Sequence, residues 1–410
     1  KRPRILIGKD TRKSGDMLEA ALTAGLCSMG AKVIPLGVVP TPAVAYLTRY
    51  YKADAGVVIS ASHNPCEYNG IKFFNSDGYK LSDGIENEIE SYILGEKAIE
   101  ELPTHGKVGY VSANHNAVED YVAFAVSTID CRLDGMKIAV DCANGASYET
   151  AFKALNKLGA NVEAIHNTPD GVNINHMCGS THMESLQAYV TSIGADIGIA
   201  FDGDADRMLA VDENGKLIDG DQIMAACAKF MRDNGTLKQN TLVATVMSNL
   251  GLFMAGEKIG INIPRTKVGD RYVLEEMLAK GYNIGGEQSG HIIFLDHNTT
   301  GDGLVSALQF LSVLKKTGMK ASEAASIVTV MPQVLRNAVV KLENKNSYME
   351  NEEIAAACKA LEDEFAGEGR VLIRPSGTEP LVRVMIEGKD EEYITKKAEE
   401  LAELIEKILG

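Results

Sequence analysis

The chain has 410 residues, with 41 Lys and Arg against 56 Asp and Glu, a formal net charge of −15 at pH 7, 45% hydrophobic residues and no Trp. That length calls for several domains of roughly 100–200 residues each, and the apolar content suffices for packed cores, which excludes a disordered chain. The acidic balance without a long Lys/Arg run excludes a nucleic-acid binder, and no apolar run approaches the roughly 18–20 residues of a membrane span, so neither nucleic acid nor membrane is an expected partner. The seven cysteines (Cys27, Cys66, Cys131, Cys142, Cys178, Cys227 and Cys358) are odd in number and lack CxxC spacing. This argues against a disulfide framework or zinc site and for a reducing, cytoplasmic setting. No signal peptide is evident. The chain opens at Lys1-Arg2-Pro3 without a Met and is soon in the strand "RILIGKD", so a preceding N-terminal segment is expected.

In chain order, one pattern occurs three times. "RILIGKDTRKSGDMLEAALTAGLCSMGAKVIPLG" reads as strand, polar loop, amphipathic helix, Gly and strand. "KIAVDCANGASYETAFKALNKLGANVEAI" from Lys137 repeats it, with Ala151, Ala154, Leu155 and Leu158 at helical spacing and Gly159 closing the helix. "TLVATVMSNLGLFMAGEKIGINIPRT" from Thr241 repeats it again. Such units imply mostly parallel sheets with helices on both faces. A further short strand follows each unit and runs into a polar loop: "AGVVIS" into "SASHNP", "ADIGIAF" into "DGDADR", "GYNIG" into "GEQSGH". Ligand sites in α/β sheets lie beyond the carboxyl ends of strands, so the three loops are expected to face a shared cleft. After Pro332 the order becomes β-α-β-β-α. The expected fold class is α/β: three similar mixed α/β domains (1–132, 133–237 and 238–332) and a small C-terminal α+β domain (333–410) around a central cleft.

The loops differ in chemistry. In "DGDADR", Asp202, Asp204 and Asp206 alternate, and such carboxylates repel unless a cation sits among them; oxygen ligands suit Mg²⁺ or Ca²⁺. Glu213 at the twelfth position mimics an EF-hand, but Arg207 stands where that loop needs Gly, and the flanks read as strands. "RPSGTEP" has the composition of a phosphate cradle: Arg374 can fork onto two oxygens, Ser376 and Thr378 add hydroxyls, Gly377 lets backbone N–H groups approach an anion, and Arg383 follows. Glu287, Ser289 and His291 alternate in "GEQSGH", a pattern that could hold sugar hydroxyls but is equally that of a polar loop; "KVGDRY" at Lys267–Tyr272 is similarly ambiguous. In "SASHNP", Ser62 as an acyl-transfer nucleophile is disfavoured. Adjacent residues of an extended loop point opposite ways, which takes His63 away from Ser62, and G-x-S-x-G is absent. Ser62 as a phosphoryl carrier fits better, with the Asp triad holding a metal and the Arg374 loop a second phosphate.

With its four motifs in this order, the whole chain resembles the alpha-D-phosphohexomutase superfamily, most closely its phosphoglucosamine mutase branch. The resemblance implies four domains around one cleft. It implies Ser62 as phosphate carrier, one Mg²⁺ per active site bound by that phosphate with Asp202, Asp204 and Asp206, and Lys72 and His291 contacting substrate or assisting proton transfer. Ser62, His63, Lys72 and His291 form the implied catalytic set. Glu287 and Ser289 would grip sugar hydroxyls, and Arg374, Ser376, Gly377, Thr378 and Arg383 the non-reacting phosphate. Asp10 and Arg12 in "GKDTR", with Arg207, Lys267 and Asp270, complete the substrate set. The family's N-terminal segment, with its own Gly/Arg loop, has no counterpart in this chain. The implied reaction is two phosphoryl transfers on a hexosamine monophosphate through a 1,6-bisphosphate. The rivals are a mutase for mannose or glucose phosphates, against which Gln288 and "TKVGDRYV" resemble the glucosamine branch, and a catalytically silent sugar-phosphate binder, against which the intact Ser62 and Asp triad speak. A homodimer is compatible with the sequence, which carries no signal that sets the oligomeric state.

Overall fold

Each strand–helix–strand repeat forms the centre of its own sheet in the computed structural model, which describes residues 2–99, 101–376 and 379–410. The first sheet has β1 (Arg4–Lys9), β2 (Lys32–Val38), β3 (Ala55–Ile59), β4 (Ile71–Asn75) and β5 (Tyr110–Val111) in the order β4-β3-β1-β2-β5. The second has β6 (Lys137–Asp141), β7 (Asn161–Ile165), β8 (Ile197–Phe201), β9 (Met208–Asp212) and β10 (Leu217–Ile218) in the order β10-β9-β8-β6-β7. The third has β11 (Val243–Thr245), β12 (Arg265–Thr266), β13 (Ile284–Gly286) and β14 (Ile292–Phe294) in the order β12-β11-β13-β14.

The three sheets share one plan. A central strand (β1, β6 or β11) has a parallel neighbour on each side, and the next strand (β4, β9 or β14) returns antiparallel beside the third. The return requires a turn at the carboxyl end of β3, β8 and β13, and the three polar loops sit there. The strand sequences match this placement: every residue of β8 and β9 is buried, as expected for strands covered on both faces. In the first sheet Ile7, Val33, Val57 and Ile59 pack against Leu18, Leu22 and Leu26, which recur every fourth residue along the helix Ser14–Ser28. The helix Gly220–Asp233 starts at a capping box between Asp219 and Gln222. It packs against β13 and the helix Gly303–Thr317, so the chain joins the third layer before residue 238.

The chain divides into two compact units, one of Lys1–Met247 with Gly260–Ile327 and one of Ser248–Ile259 with Val328–Gly410. The second contains β15 (Gln333–Val339), β16 (Arg370–Pro375) and β17 (Leu381–Glu387) as an antiparallel sheet in the order β15-β17-β16. The helix Glu391–Leu409 covers it with Ile394, Ala398, Leu401, Ile405 and Leu409. The helix Leu250–Ile259 belongs to this unit although its sequence repeat lies in the third layer: Leu250 N donates to Glu387 Oε1 (3.2 Å), and Asn249 exchanges two hydrogen bonds with the Met331 backbone (2.8 and 3.0 Å). Among the described residues no helix is long and apolar enough to cross a membrane.

Candidate active site

The loops after β3, β8 and β13 converge within the first unit on a cleft of ≈ 580 Å³. Of the residues singled out from sequence, Ser62, His63, Lys72, Asp206, Arg207, Asp270, Glu287 and His291 line it. Asn64, Asn69 and Lys80 also line it and were missed. Asn64 lies inside "SASHNP" and Asn69 four residues beyond it, whereas Lys80 carries no local signal and is placed by an ion pair to Asp270, 190 positions away. A larger hollow of ≈ 760 Å³ opens beside Met136 and Asp196, at the amino ends of β6 and β8 and away from these loops.

Ser62 adopts φ 51°, a left-handed conformation that costs a non-glycine residue about 1–3 kcal/mol and must be held by its surroundings. Its Oγ donates to Asp202 Oδ2 (2.6 Å) and its N–H to Ser60 Oγ (3.0 Å), which in turn donates to Asp10 Oδ2 (2.6 Å). Because the backbone is not extended here, the expectation that His63 points away from Ser62 fails: His63 Nδ1 lies 3.4 Å from Ser62 Oγ. Burial, and then the positive charge of Arg207, lower the His63 pKa and favour the neutral ring.

Asp10 and Arg12 do not line this cleft. Their side chains are fully buried and paired, Arg12 Nε to Asp10 Oδ2 at 2.8 Å. The Arg12 guanidinium spends its remaining donors on loop carbonyls: Ser62 (3.0 Å), Asn64 (2.8 Å), Tyr68 (2.9 Å) and Pro65. Burial raises the Asp10 pKa even though Arg12 and Ser60 pull it down. In the structure the pair anchors the nucleophile loop from beneath, and the charged fork of Arg12 suits four loop carbonyls at once.

Asp202, Asp204 and Asp206 are buried, with one oxygen of each within 4.8 Å of the others. Strands, not helices, flank them, which removes the EF-hand reading. Thr41 Oγ1 (2.6 Å) and Lys72 Nζ (2.7 Å) both donate to Asp204 Oδ2, and Arg207 N donates to Asp202 Oδ1 (3.2 Å). Asp204 Oδ1 and Asp206 Oδ1 are buried with no hydrogen-bond partner. Orphaned carboxylate oxygens in a three-carboxylate cluster are costly unless a cation meets them, so the donor set fits a hard divalent ion such as Mg²⁺. The electrostatics agree. Burial, then Asp206 and Asp204, push the Asp202 pKa well up. Against burial, Lys72 holds Asp206 far below the usual carboxylate range. Against its own burial, Lys72 is kept protonated by Asp204 and Asp206.

On the opposite wall, Glu287 Oε1 accepts from Gly269 N (3.1 Å), which joins "GEQSGH" to "KVGDRY". His291 is buried, 3.6 Å from Asp206 and 3.5 Å from Asp270, and Gly301 N donates to its Nε2 (3.2 Å). Gly301 has no room for a side chain, since a Cβ would lie 2.4 Å from that nitrogen. Two expected substrate residues are not among those lining the cleft: Lys267 is exposed over the Tyr272 ring (5.7 Å), and Ser289 is exposed. Gln288 donates to Asp219 Oδ2 (3.1 Å), so its amide braces the turn on a helix cap.

Comparison with known proteins agrees with this architecture. Models of the phosphoglucomutase/phosphomannomutase family match throughout: alpha/beta/alpha domain I at residues 1–100, domain II at 118–215, domain III at 219–331 and the C-terminal domain at 338–404. The chain belongs to the alpha-D-phosphohexomutase superfamily. Its relatives include the phosphoglucosamine mutases of Ruminiclostridium cellulolyticum (63% identical, over 98% of this chain and 90% of that protein) and Acetivibrio thermocellus (62%, over 100% and 91%). Among solved structures, a phosphoglucomutase/phosphomannomutase family protein from Burkholderia thailandensis superposes with a TM-score of 0.81 at 22% identity, covering 98% of this chain and 89% of that one. An Aspergillus fumigatus N-acetylphosphoglucosamine mutase, solved with GlcNAc-6P and magnesium, gives 0.70 at 19%, covering 90% and 93%.

The second unit of this phosphohexomutase carries the remaining candidates. Arg374 on β16 sits directly opposite Arg383 on β17. Burial, and then Arg383, lower the Arg374 pKa. Arg383 also meets Glu379 (3.2 Å). Ser376 is buried, its N–H donating to Leu381 O (2.8 Å) and its Oγ accepting from Glu379 N (3.3 Å). Two guanidiniums paired across a ladder repel, and an anion relieves the repulsion. Gly377 and Thr378 lie outside the described residues.

Proposed function

We propose that this phosphohexomutase interconverts glucosamine 6-phosphate and glucosamine 1-phosphate, with Ser62 as the phosphate carrier. The observation that carries the mechanism is Ser62 Oγ at 2.6 Å from Asp202 Oδ2, beside two orphaned carboxylate oxygens. The sugar preference rests on the relatives at 57–63% identity, all phosphoglucosamine mutases.

Phospho-Ser62 donates its phosphoryl group to the C1 hydroxyl of the 6-phosphate: the Ser62 O–P bond breaks, a new O–P bond forms, and a 1,6-bisphosphate results. After the intermediate reverses, Ser62 takes the 6-phosphoryl group and releases the 1-phosphate. Each transfer moves one proton from the attacking hydroxyl to the departing oxygen, so the cycle neither gains nor loses protons. Neutral His63, 3.4 Å from Ser62 Oγ, can relay that proton. Asp202, Asp204 and Asp206 would hold Mg²⁺, which neutralises charge on the transferring phosphate. Lys72 and Arg207 add positive charge on the cleft wall, and Glu287 and Asp270 offer acceptors for sugar hydroxyls. Arg374 with Arg383 and Ser376 binds a phosphate of the substrate, and either phosphate suits, since a fork of guanidiniums reads the anion and ignores the sugar. All seven cysteines are free thiols, in keeping with a cytoplasmic enzyme.

The test is a mutase assay with glucosamine 6-phosphate beside glucose and mannose 6-phosphates. The highest kcat/KM is expected for the amino sugar. A higher value for either neutral sugar would reassign the substrate, and no turnover of any would leave a sugar-phosphate binder.

A further inference from the structure

The segment 166–182, "HNTPDGVNINHMCGSTH", has no part in the reaction as described, yet it reaches the nucleophile loop. It leaves the second sheet after β7 and is tied down near both ends by Asp141 Oδ2, which meets His166 Nδ1 (2.9 Å) and accepts from Gly179 N (3.0 Å). Asn144 holds the middle: its N–H donates to His166 O (2.6 Å), its Oδ1 accepts from Thr168 N (3.2 Å), and its Nδ2 donates to Asn173 O (3.4 Å). Gly171 O accepts from Lys13 N (2.9 Å), so the strap is also fastened to the first layer.

At its centre is Asn175, buried at 7% exposure and held at φ 57°. Its backbone N–H donates to Ala143 O (2.9 Å). Its side-chain Nδ2 donates to Ser62 O (2.8 Å) and Asn64 O (3.0 Å). Both partners are carbonyls, so only the NH₂ end of the amide can face them. These are two of the carbonyls that Arg12 also holds, from within the first layer. Arg12 therefore fixes the loop to its own sheet, while Asn175 fixes it to the sheet that bears the Asp triad. The meeting point is tight: a Cβ on Gly203, between Asp202 and Asp204, would lie 2.6 Å from both Asn175 Nδ2 and Ser62 O.

We propose that Asn175 is a positioning residue for phosphoryl transfer, setting the left-handed Ser62 against the Asp202–Asp204–Asp206 cluster by clamping the Ser62 and Asn64 carbonyls from the second layer. Asparagine suits the task because it tolerates the left-handed conformation and supplies two donors on a short stem. The inference rests on Ser62 being the phosphate carrier.

Two variants test it. Asn175→Gly keeps the backbone conformation and removes the donors. Asn175→Asp keeps the shape and sets a carboxylate against two carbonyls. A displaced nucleophile predicts kcat lower by about 10- to 100-fold, with Asp worse than Gly. KM is expected to stay near the wild-type value, and phosphorylation of Ser62 by acetyl phosphate, a small donor, to slow in parallel with kcat. Circular dichroism and melting report the folded fraction. Unchanged kcat in both variants overturns the proposal, as does a loss that merely tracks the folded fraction or falls on KM alone. Failure of the underlying reading is distinguishable, because Ser62→Ala would then remain active.

Discussion

Two parts of the molecule are suited to phosphate, and they are built in opposite ways. Around Ser62 the chemistry is buried and over-determined. A left-handed serine is held by Ser60, Asp202, Arg12 and Asn175, beside three carboxylates whose repulsion is offset by Lys72. Around Arg374 two arginines stand side by side on adjacent strands, partly exposed. The first arrangement holds the nucleophile from several sides at once, which a reacting centre needs. The second supplies charge and a planar fork, which suffices for capture. Pre-organisation is concentrated where a bond must be made.

The comparison can be broken most sharply at the nucleophile. Ser62→Ala is expected to abolish turnover while leaving the melting temperature within a few degrees of wild type, since a loop methyl costs little stability. Next comes the cluster. Asp204→Asn is expected to lower kcat by roughly 10²–10³-fold, the size of losing one preorganised group that faces transition-state charge. Added Mg²⁺ should raise the melting temperature of the wild type by mass action and much less that of the variant; equal Mg²⁺ stabilisation of both would place the ion elsewhere. Arg374→Ala should act on capture: charge-assisted hydrogen bonds of roughly 1.5–3 kcal/mol correspond to about 10- to 150-fold in KM. Phosphorylation of Ser62 by acetyl phosphate should be unaffected, and a parallel loss there would erase the distinction between the two regions. The smallest effect is expected from Thr41→Val, which removes the hydroxyl that orients Asp204 at 2.6 Å. About a tenfold weakening of Mg²⁺ binding by calorimetry is the expected outcome.

What was legible in the sequence was what the chain keeps local. The loops after β3, β8 and β13 could be found because each follows an apolar run that can only be a covered strand, and because alternating carboxylates or hydroxyls have few structural uses. Properties that depend on distant partners were misread. Asp10 and Arg12 enter the substrate set through the resemblance alone, and nothing in "GKDTR" reveals the one carboxylate and four carbonyls that the guanidinium meets. His63 was assigned away from Ser62 on the assumption of extended backbone, which φ 51° at Ser62 removes. Lys80 and Asn175 were missed because each acts across more than 100 positions, on Asp270 and on Ser62. The helix Leu250–Ile259 repeats its counterparts in sequence but joins the C-terminal unit through Asn249 and Leu250, a choice that no periodicity encodes.

The central claim is that Ser62 carries the phosphoryl group between the two ends of the sugar. Its most direct test is mass spectrometry of the peptide containing Ser62 after the wild-type protein is incubated with a hexose 1,6-bisphosphate and Mg²⁺, then quenched in acid. The account predicts one phosphoryl group, on Ser62; if the bisphosphate is isotope-labelled in its phosphoryl groups, excess unlabelled glucosamine 6-phosphate added before the quench moves the label to the sugar phosphates while Ser62 is phosphorylated anew at each turnover. An unmodified Ser62 in protein that still turns over, or a phosphoryl group on another residue, would contradict it.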